Sequence, residues 1–226
     1  MKRAVVLLSG GLDSTVVTYA ALAEGYEVIA LTLTYGQLHT TEIDKAKITT
    51  SKHNIEHFVV PVSLPWKGSA LLDDMIPIPT GRDEDAMSDI PATYVPARNT
   101  IFLSLALSLA EVRNATAIFI GANQLDFSGY PDCRGDYFQS AQQLFDKATK
   151  QTTEGEKIKI VTPLLDMTKE DIVRFGQTLD VPFEDTWTCY VGGNAPCGTC
   201  DACVLRSKGF SAVGIQDPIV RDGSAC

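Results

Sequence analysis

Short apolar runs rich in β-branched residues alternate along this chain with longer stretches in which apolar residues recur at helical spacing. Runs of this kind predict buried strands, and the longer stretches predict helices. The predicted strands are Val5–Leu8, Val28–Tyr35, His57–Val62, Ala117–Gly121 and Ile158–Val161. Strands that alternate with helices favour an α/β fold, here a doubly wound, mostly parallel five-stranded sheet.

Helices are predicted in the intervals between these strands. The first begins after Gly11, and the others are Thr40–Asn54, Ile101–Ala110, Tyr137–Lys150 and a helix capped by Thr168 that runs to about Asp180. Residues 63–96 are irregular and rich in proline, which is typical of a lid or a binding loop. We therefore predict an α/β domain over residues 1–186 that contains this insertion, followed by a segment 187–226 packed on the same domain.

The first strand ends in a polar, glycine-containing loop that runs from Ser9 to Ser14 and leads into the first helix. Glycine lets the backbone approach a ligand closely, and a helix start offers N–H groups to an anion. The loop differs from a Walker A loop because Asp13, and no lysine, precedes Ser14. A carboxylate beside a triphosphate is favourable when Mg²⁺ lies between them. The alternative is a plain strand–helix turn in which Asp13 caps the helix and no ligand binds.

The second strand ends nearby, because the carboxyl ends of parallel strands share one edge of a sheet and form the ligand crevice. These two strand ends give the candidate nucleotide-binding residues. They are Leu8, Ser9, Gly10, Gly11, Leu12, Asp13, Ser14 and Thr15 from the first, and Tyr35, Gly36 and Gln37 from the second.

Two cations are predicted in the first turns of helices, Arg98 and Lys169. The helix dipole disfavours positive charge at that end, so each cation indicates an anionic partner such as a phosphate or a substrate carboxylate. For Arg98, a surface position beside a loop carboxylate is the alternative. With Asp13, these two residues are the candidate catalytic groups.

The C-terminal segment carries Cys189, Cys197, Cys200 and Cys203 among several glycines. Four thiolates suit a closed tetrahedral zinc site, which is structural. An iron–sulfur cluster is the rival, but the ferredoxin-like run expects its fourth cysteine three residues after the third, followed by proline. Ser207 and Lys208 stand there instead, so zinc is favoured.

Charge and hydropathy limit the partners of the protein. The chain of 226 residues has 28 acidic and 19 basic side chains, a net charge of -9, which argues against direct nucleic-acid binding. The apolar run after Lys2 and Arg3 breaks at Gly10, too soon for a secretory signal. Ile101–Ala110 is too short to span a bilayer. We therefore expect a cytoplasmic protein without a membrane partner.

Taken together, four motifs carry a family resemblance: S-G-G-L-D-S at Ser9, P-A-R-N-T at Pro96, the stretch from G-A-N at Gly121 to S-G-Y-P-D-C-R ending at Arg134, and the four cysteines. The first is similar to the loop of enzymes that split ATP between its α and β phosphates. The combination resembles the 7-cyano-7-deazaguanine synthases, nitrile-forming enzymes of the queuosine precursor pathway. The resemblance covers nearly the whole chain and implies an adenine nucleotide alpha hydrolase-like fold.

The resemblance implies an ATP-dependent carbon–nitrogen ligase. In that reaction, 7-carboxy-7-deazaguanine and ammonia become 7-cyano-7-deazaguanine through an adenylated acid and an adenylated amide. The implied cofactors are Zn²⁺ and Mg²⁺, free ammonium is the expected nitrogen source, and a homodimer is left open. The candidate substrate-binding residues are Tyr94, Arg98, Asn99, Asp126, Tyr130, Asp132 and Arg134.

Two other functions are compatible with the motifs. A tRNA-thiolating enzyme would share the loop and would use a cysteine to carry sulfur, but the acidic charge and the lack of an obvious RNA-binding domain count against it. A zinc-bearing regulator that senses ATP would turn over nothing.

Overall fold

A parallel β-sheet organises the structure, a computed structural model that describes residues 2–82, 90–125 and 130–220. Its strands are β1 (Arg3–Leu7), β2 (Glu27–Thr34), β3 (Glu56–Pro61), β4 (Ala117–Ile120) and β5 (Lys159–Val161). They lie in the order β3-β2-β1-β4-β5, and every neighbouring pair is parallel. The predicted five-stranded α/β sheet is confirmed, and it is parallel throughout the described residues.

Helices cover both faces of this sheet. They are α1 (Leu12–Ala23), α2 (Thr41–Lys52), α3 (Arg98–Val112), α4 (Gly135–Phe145), α5 (Lys150–Thr153), α6 (Lys169–Thr178) and α7 (Asp201–Val213). No helix in the described ranges has the length and apolarity needed to cross a bilayer.

Strand β1 shows how the sequence sorts residues between the two faces. Successive side chains of a strand point to opposite sides. Val5 and Leu7 join the core formed with α3 and α4, whereas Ala4 and Val6 join the core formed with α1, α6 and α7. Because both faces are buried, the strand is apolar at every position from Ala4 to Leu7 and does not alternate with polar residues there.

Two helical predictions needed correction. The helix predicted over Tyr137–Lys150 ends at Phe145, and α5 begins separately after Thr149. The Thr149 side chain accepts a hydrogen bond from the N–H of Thr152, and such a cap starts a new helix instead of extending the old one.

Helix α7 was not predicted at all, because Gly209 in its interior and the cysteines at its start hide its periodicity. The structure gives a reason for the glycine. A Cβ at Gly209 would lie 2.6 Å from Lys169 Cγ and 2.9 Å from Lys169 O. The absent side chain therefore allows α7 to pack directly on the start of α6.

Gly176 offers a test of the packing between α6, α1 and the sheet. A Cβ at this position would lie 2.8 Å from the Phe183 ring and 3.1 Å from Val16 Cγ2. Alanine favours a helix by about 1 kcal/mol over glycine, but overpacking a core costs about 1–3 kcal/mol. We expect Gly176→Ala to lower the melting temperature, while Gln177→Ala on the exposed face of α6 changes stability by less than about 0.5 kcal/mol. A more stable Gly176→Ala protein would contradict this packing.

Candidate active site

A cavity of about 290 Å³ lies at the carboxyl ends of the central strands. Its walls include Leu7 at the end of β1, Leu8 after it, Leu33 in β2 and Gly121 after β4. The strand order reverses between β1 and β4, and ligands of open α/β sheets bind at such a switch point. The topology therefore places this cavity where a ligand is expected.

The loop between β1 and α1 is held by its own hydroxyl groups. Ser14 Oγ accepts hydrogen bonds from the backbone N–H groups of Ser9 and Gly10, each at 3.2 Å, and lies 2.9 Å from Ser9 Oγ. Gly11, the N-cap residue of α1, provides no side-chain cap. The helix start thus keeps a position that an anion can occupy.

Two glycines let neighbouring elements press against this loop. Gly10 has a φ of +91°, and a Cβ there would lie 1.8 Å from the carbonyl oxygen of Glu42 in α2. A Cβ at Gly121 would lie 3.0 Å from the backbone of Asp13 and Ser14. Since backbone atoms cannot move aside cheaply, side chains at Gly10 and Gly121 would displace the loop.

Asp13 and Lys169 meet beside the loop, although 156 positions separate them. Lys169 Nζ donates to both carboxylate oxygens of Asp13, at 2.8 and 3.0 Å. Lys169 is the first residue of α6, and both side chains are largely buried and line the cavity. The structure thus places an ammonium and a carboxylate together where both were predicted to act on a nucleotide.

Arg98 enters the cavity from the start of α3. The preceding residue, Ala97, has a left-handed conformation with φ +54°, which costs a non-glycine residue about 1–2 kcal/mol and directs the chain into the helix. Arg98 Nη1 donates to the Tyr35 hydroxyl at 3.2 Å. In the described part of the chain, Arg98 forms no ion pair with a carboxylate. A half-buried cation in this position suits an anionic ligand.

Tyrosines surround Arg98 and keep the environment uncharged. Burial raises the pKa of Tyr35, Tyr130 and Tyr190, although the Arg98 charge opposes this shift at each of them. All three rings line the cavity. They remain neutral phenols at physiological pH and can hydrogen-bond a planar heterocycle.

Glu42 and His39 also line the cavity, and the sequence did not single out Glu42. Its side chain is half-buried in the first turn of α2, and desolvation raises the pKa of Glu42 to about 7, with the Arg98 charge opposing the shift. A carboxyl that titrates near neutrality in a cavity is typical of a functional group. The one sequence feature that could have identified Glu42 is its position in the first turn of the helix that follows β2.

Asp132 and Asn99 hold the start of α3 in place. Asp132 Oδ2 accepts from the Asn99 N–H at 3.0 Å, and Asn99 Nδ2 donates to the Asp132 carbonyl at 2.8 Å. Both residues are buried. Asp132 therefore acts here as a cap supplied by another segment, next to Arg98.

The predicted residues can now be placed. Those that line the cavity are Leu8, Ser9, Gly11, Leu12, Asp13, Ser14, Tyr35, Gln37, Arg98, Asn99, Tyr130 and Lys169. Those outside its lining are Gly10, Thr15, Gly36, Tyr94, Asp132 and Arg134. Asp126 lies outside the described residues.

The four predicted cysteines come together in space. The Sγ atoms of Cys189, Cys197, Cys200 and Cys203 all lie within 4.8 Å of one another. Three are buried, and none forms a disulfide. Backbone N–H groups of Cys197 and Cys200 donate to Cys189 Sγ and Cys197 Sγ, each at 3.3 Å. A compact set of thiols supported by backbone donors could hold a metal ion.

The thiols influence one another's protonation. Hydrogen bonds from Cys200 and Cys203 hold the pKa of Cys189 well below its usual range, and the bond to Cys189 raises the pKa of Cys200 to about 11. A bound cation would replace the shared protons, because metals bind the thiolate form.

The cysteine cluster is attached both to the insertion over residues 63–96 and to the loop between β1 and α1. Thr80 forms a β-bridge with Cys200, and Arg82 forms a 2.9 Å ion pair with the buried Asp201. On the other side, the Trp187 N–H donates to the Gly10 carbonyl at 3.0 Å. Cys189 itself lines the cavity. The cluster thus fixes one wall of the site.

A buried ion pair secures the helix that follows. Arg206 donates from Nε and Nη2 to Asp217 at 2.7 and 2.9 Å, and from Nη1 to the Thr186 hydroxyl at 2.7 Å. Because the charged groups are paired and hydrogen-bonded, their burial is tolerated. This network joins α7 to the segment just before Trp187.

The fold and the cavity define a doubly wound α/β protein with a candidate ligand site at the switch point of its parallel sheet. NMN synthetase from Francisella tularensis has a similar fold, with a TM-score of 0.51 and 17% identity over 95% of this chain and 78% of that one.

The chain belongs to the family described as "Queuosine biosynthesis protein QueC", whose model matches residues 3–214. Two relatives carry the name 7-cyano-7-deazaguanine synthase. The protein from Trichodesmium erythraeum is 52% identical over 96% of this chain and 100% of its own length. The protein from Saccharophagus degradans is 50% identical over 96% of each chain.

The cysteine cluster predicts a link between metal and stability. A ligand present at about 100 times its Kd stabilises the folded state by about 2.7 kcal/mol, so Cys200→Ser should reduce bound metal and the melting temperature together. Elemental analysis and a melting curve measure the two. Cys133→Ser, a change of the same kind outside the cluster, should keep its metal. Unchanged metal content in the Cys200 variant would contradict the site.

Proposed function

We propose that this protein is a nitrile synthase that converts 7-carboxy-7-deazaguanine and ammonia to 7-cyano-7-deazaguanine at the expense of ATP. The main support is the identity of about 50% to named synthases over nearly the whole chain. The cavity adds a second support, because it gathers a nucleotide-type loop, two cations and neutral tyrosines at one switch point.

In the proposed reaction, adenylation activates the same carbon twice. The substrate carboxylate attacks the α-phosphate of ATP, and pyrophosphate leaves. Ammonia attacks the acyl adenylate, AMP leaves, and an amide is formed. A second ATP adenylates the amide oxygen, and loss of the second AMP gives the nitrile. Carboxylate and amide oxygens are poor leaving groups, whereas AMP is a good one.

For this reaction, the protein must align the reactants and neutralise charge on the phosphates. We assign the loop Ser9–Ser14 and the start of α1 to the pyrophosphate. Lys169 and Arg98 would stabilise the charge that develops on the phosphates, with Gln37 and Tyr35 beside the nucleotide. Mg²⁺, when bound, would neutralise phosphate oxygens, and we assign Asp13 as its ligand because carboxylate oxygen is what this ion prefers.

The deazapurine is assigned to the tyrosine-lined part of the cavity. Arg98 suits its carboxylate, and Asn99 and Tyr130 lie on the same wall. Tyr94 and Asp132 would act from behind this wall, since Tyr94 packs against the Tyr130 ring at 5.4 Å and Asp132 holds Asn99. Arg134 follows Asp132 in sequence and remains a proposed contact.

We assign zinc to the four cysteines, in a structural role. Four thiolates complete a tetrahedron and leave no open position for a catalytic water. The links to Gly10 and to the insertion suit such a role. We further propose a cytoplasmic enzyme that uses free ammonium and does not bind nucleic acid directly, in line with its net charge of -9.

The product set tests the function. With 7-carboxy-7-deazaguanine, ammonium and Mg-ATP, the purified protein should form the nitrile with two AMP and two pyrophosphate per product, measured by chromatography. ADP and phosphate as stoichiometric products would contradict adenylation. A requirement for tRNA and a sulfur donor would instead indicate a thiolating enzyme, and no turnover would indicate a regulator.

Asp13→Asn tests the proposed metal ligand. We expect turnover to fall by at least about 100-fold, since removal of one charge-stabilising group typically costs that much. The fold should be retained, because Asp13 belongs to neither core. Asp136→Asn, an exposed acid in the first turn of α4, is the matched control. Activity and melting temperature are measured on the same preparations. Wild-type activity in the Asp13 variant would show that Asp13 is only an acidic residue at the start of a helix.

A further inference from the structure

The two nitrogen steps of the proposed reaction release protons that the adenylating groups do not accept. When ammonia bonds to the acyl carbon and the carbon–oxygen bond to AMP breaks, AMP leaves with the electron pair and the nitrogen must lose a proton. In the second stage, the adenylated amide carries two N–H protons, and both must leave as the nitrile forms and AMP departs. A base near the substrate carbon is therefore needed.

Most cavity-lining groups are poorly suited to this task. Asp13 is already paired with Lys169 at 2.8 Å, and we assign it to the metal. Burial raises the pKa of Tyr35, Tyr130 and Tyr190. At neutral pH these side chains are therefore protonated phenols, which accept protons poorly. Cys189 belongs to the cysteine cluster. Cys133 is part of a core cluster, and its Sγ accepts a hydrogen bond from Asn99 Nδ2 at 3.3 Å. Among the described residues of the cavity wall, Glu42 and His39 remain.

Glu42 has the better defined position. Its backbone is fixed against the nucleotide loop, because a Cβ at Gly10 would lie 1.8 Å from its carbonyl oxygen. Its side chain lines the same cavity as Arg98, Tyr35 and Ser9. Within the described ranges, the Glu42 carboxyl forms no ion pair, whereas Asp13, the other cavity acid, is paired with Lys169. Glu42 is thus an acid at the cavity that is not held in an ion pair, with the charge of Arg98 acting on it.

We propose that Glu42 is the general base of both nitrogen steps, an inference that rests on the proposed function. Its carboxylate accepts one proton from the nitrogen as the amide forms. It later accepts the two N–H protons of the adenylated amide, one at a time, and passes each to water. No bond forms to the protein in either stage.

The charge environment of Glu42 suits a base that works near neutrality. Desolvation raises the pKa of Glu42 to about 7, and Arg98 of α3 opposes the rise. The other titratable or charged groups that line the cavity are Tyr35, His39, Tyr130, Cys133, Cys189, Tyr190, Arg206 and the Asp13–Lys169 pair. A general base whose pKa lies near the working pH is largely deprotonated and still binds a proton well. Below pH 7 the carboxyl becomes protonated, so the nitrogen steps should slow as the pH falls through about 7.

The experiment separates adenylation from the nitrogen steps in Glu42→Gln. Acid-dependent exchange of labelled pyrophosphate into ATP, measured without ammonium, reports adenylation. Formation of amide from acid, and of nitrile from added amide, reports the nitrogen steps at constant free ammonia. We expect exchange within about twofold of wild type and nitrogen steps slower by about 100-fold or more. The acidic limb of their pH profile should disappear, and Glu42→Asp should restore part of the rate.

Asp44→Asn, the exposed second acid in the first turn of α2, is the matched control and should behave as wild type in every assay. Unchanged nitrogen steps in Glu42→Gln would overturn the proposal, as would a loss confined to His39→Gln. A change limited to the KM for ATP would make Glu42 a nucleotide ligand and would also overturn it. If wild-type protein shows neither exchange nor nitrile, the proposed function fails, and this inference fails with it.

Discussion

The close approach of three chain segments at Gly10 is the constraint on which the site depends. A Cβ at Gly10 would lie 1.8 Å from the Glu42 carbonyl, so α2 can reach the loop only because this residue is glycine. The Gly10 carbonyl in turn accepts from the Trp187 N–H, which brings the C-terminal segment to the same point. Loop, α2 and cysteine-bearing segment are therefore positioned relative to one another through one residue that lies outside the cavity lining.

The C-terminal segment needs strong attachment because it supplies a wall of the cavity without a strand of its own. Two independent sets of contacts provide this attachment. The Arg206–Asp217 pair is buried and hydrogen-bonded, and the cysteine cluster connects Cys200 to Thr80 of the insertion. A bound metal would stabilise the cysteine cluster further, and the stabilisation would grow with the logarithm of its affinity. The stability of this segment and the shape of the active site are thus physically coupled.

Local signals in the sequence were sufficient to predict the sheet, the loop and the cysteine set. Each is encoded by neighbouring residues, such as the apolar run before Ser9 or the spacing of Cys197 and Cys200. Contacts between distant segments could not be predicted in this way. The Asp13–Lys169 pair joins residues 156 positions apart, and Asp132 proved to cap α3 because the fold brings Asn99 to it. Glu42 has no local motif, and its raised pKa results from burial that only the packing of α2 creates.

The balance of charge in the cavity explains why an acidic protein can serve as a site for anions. Arg98 and Lys169 are the described cations of the wall that face the ligand space, and Arg206 is neutralised by Asp217. Asp13 cancels one positive charge, while the raised pKa of Glu42 keeps it partly uncharged near neutrality. The protein alone therefore offers little net positive charge to an anionic ligand. Under the proposed function, Asp13 would hold a divalent cation that supplies the remainder, and Lys169 would then be available to the nucleotide.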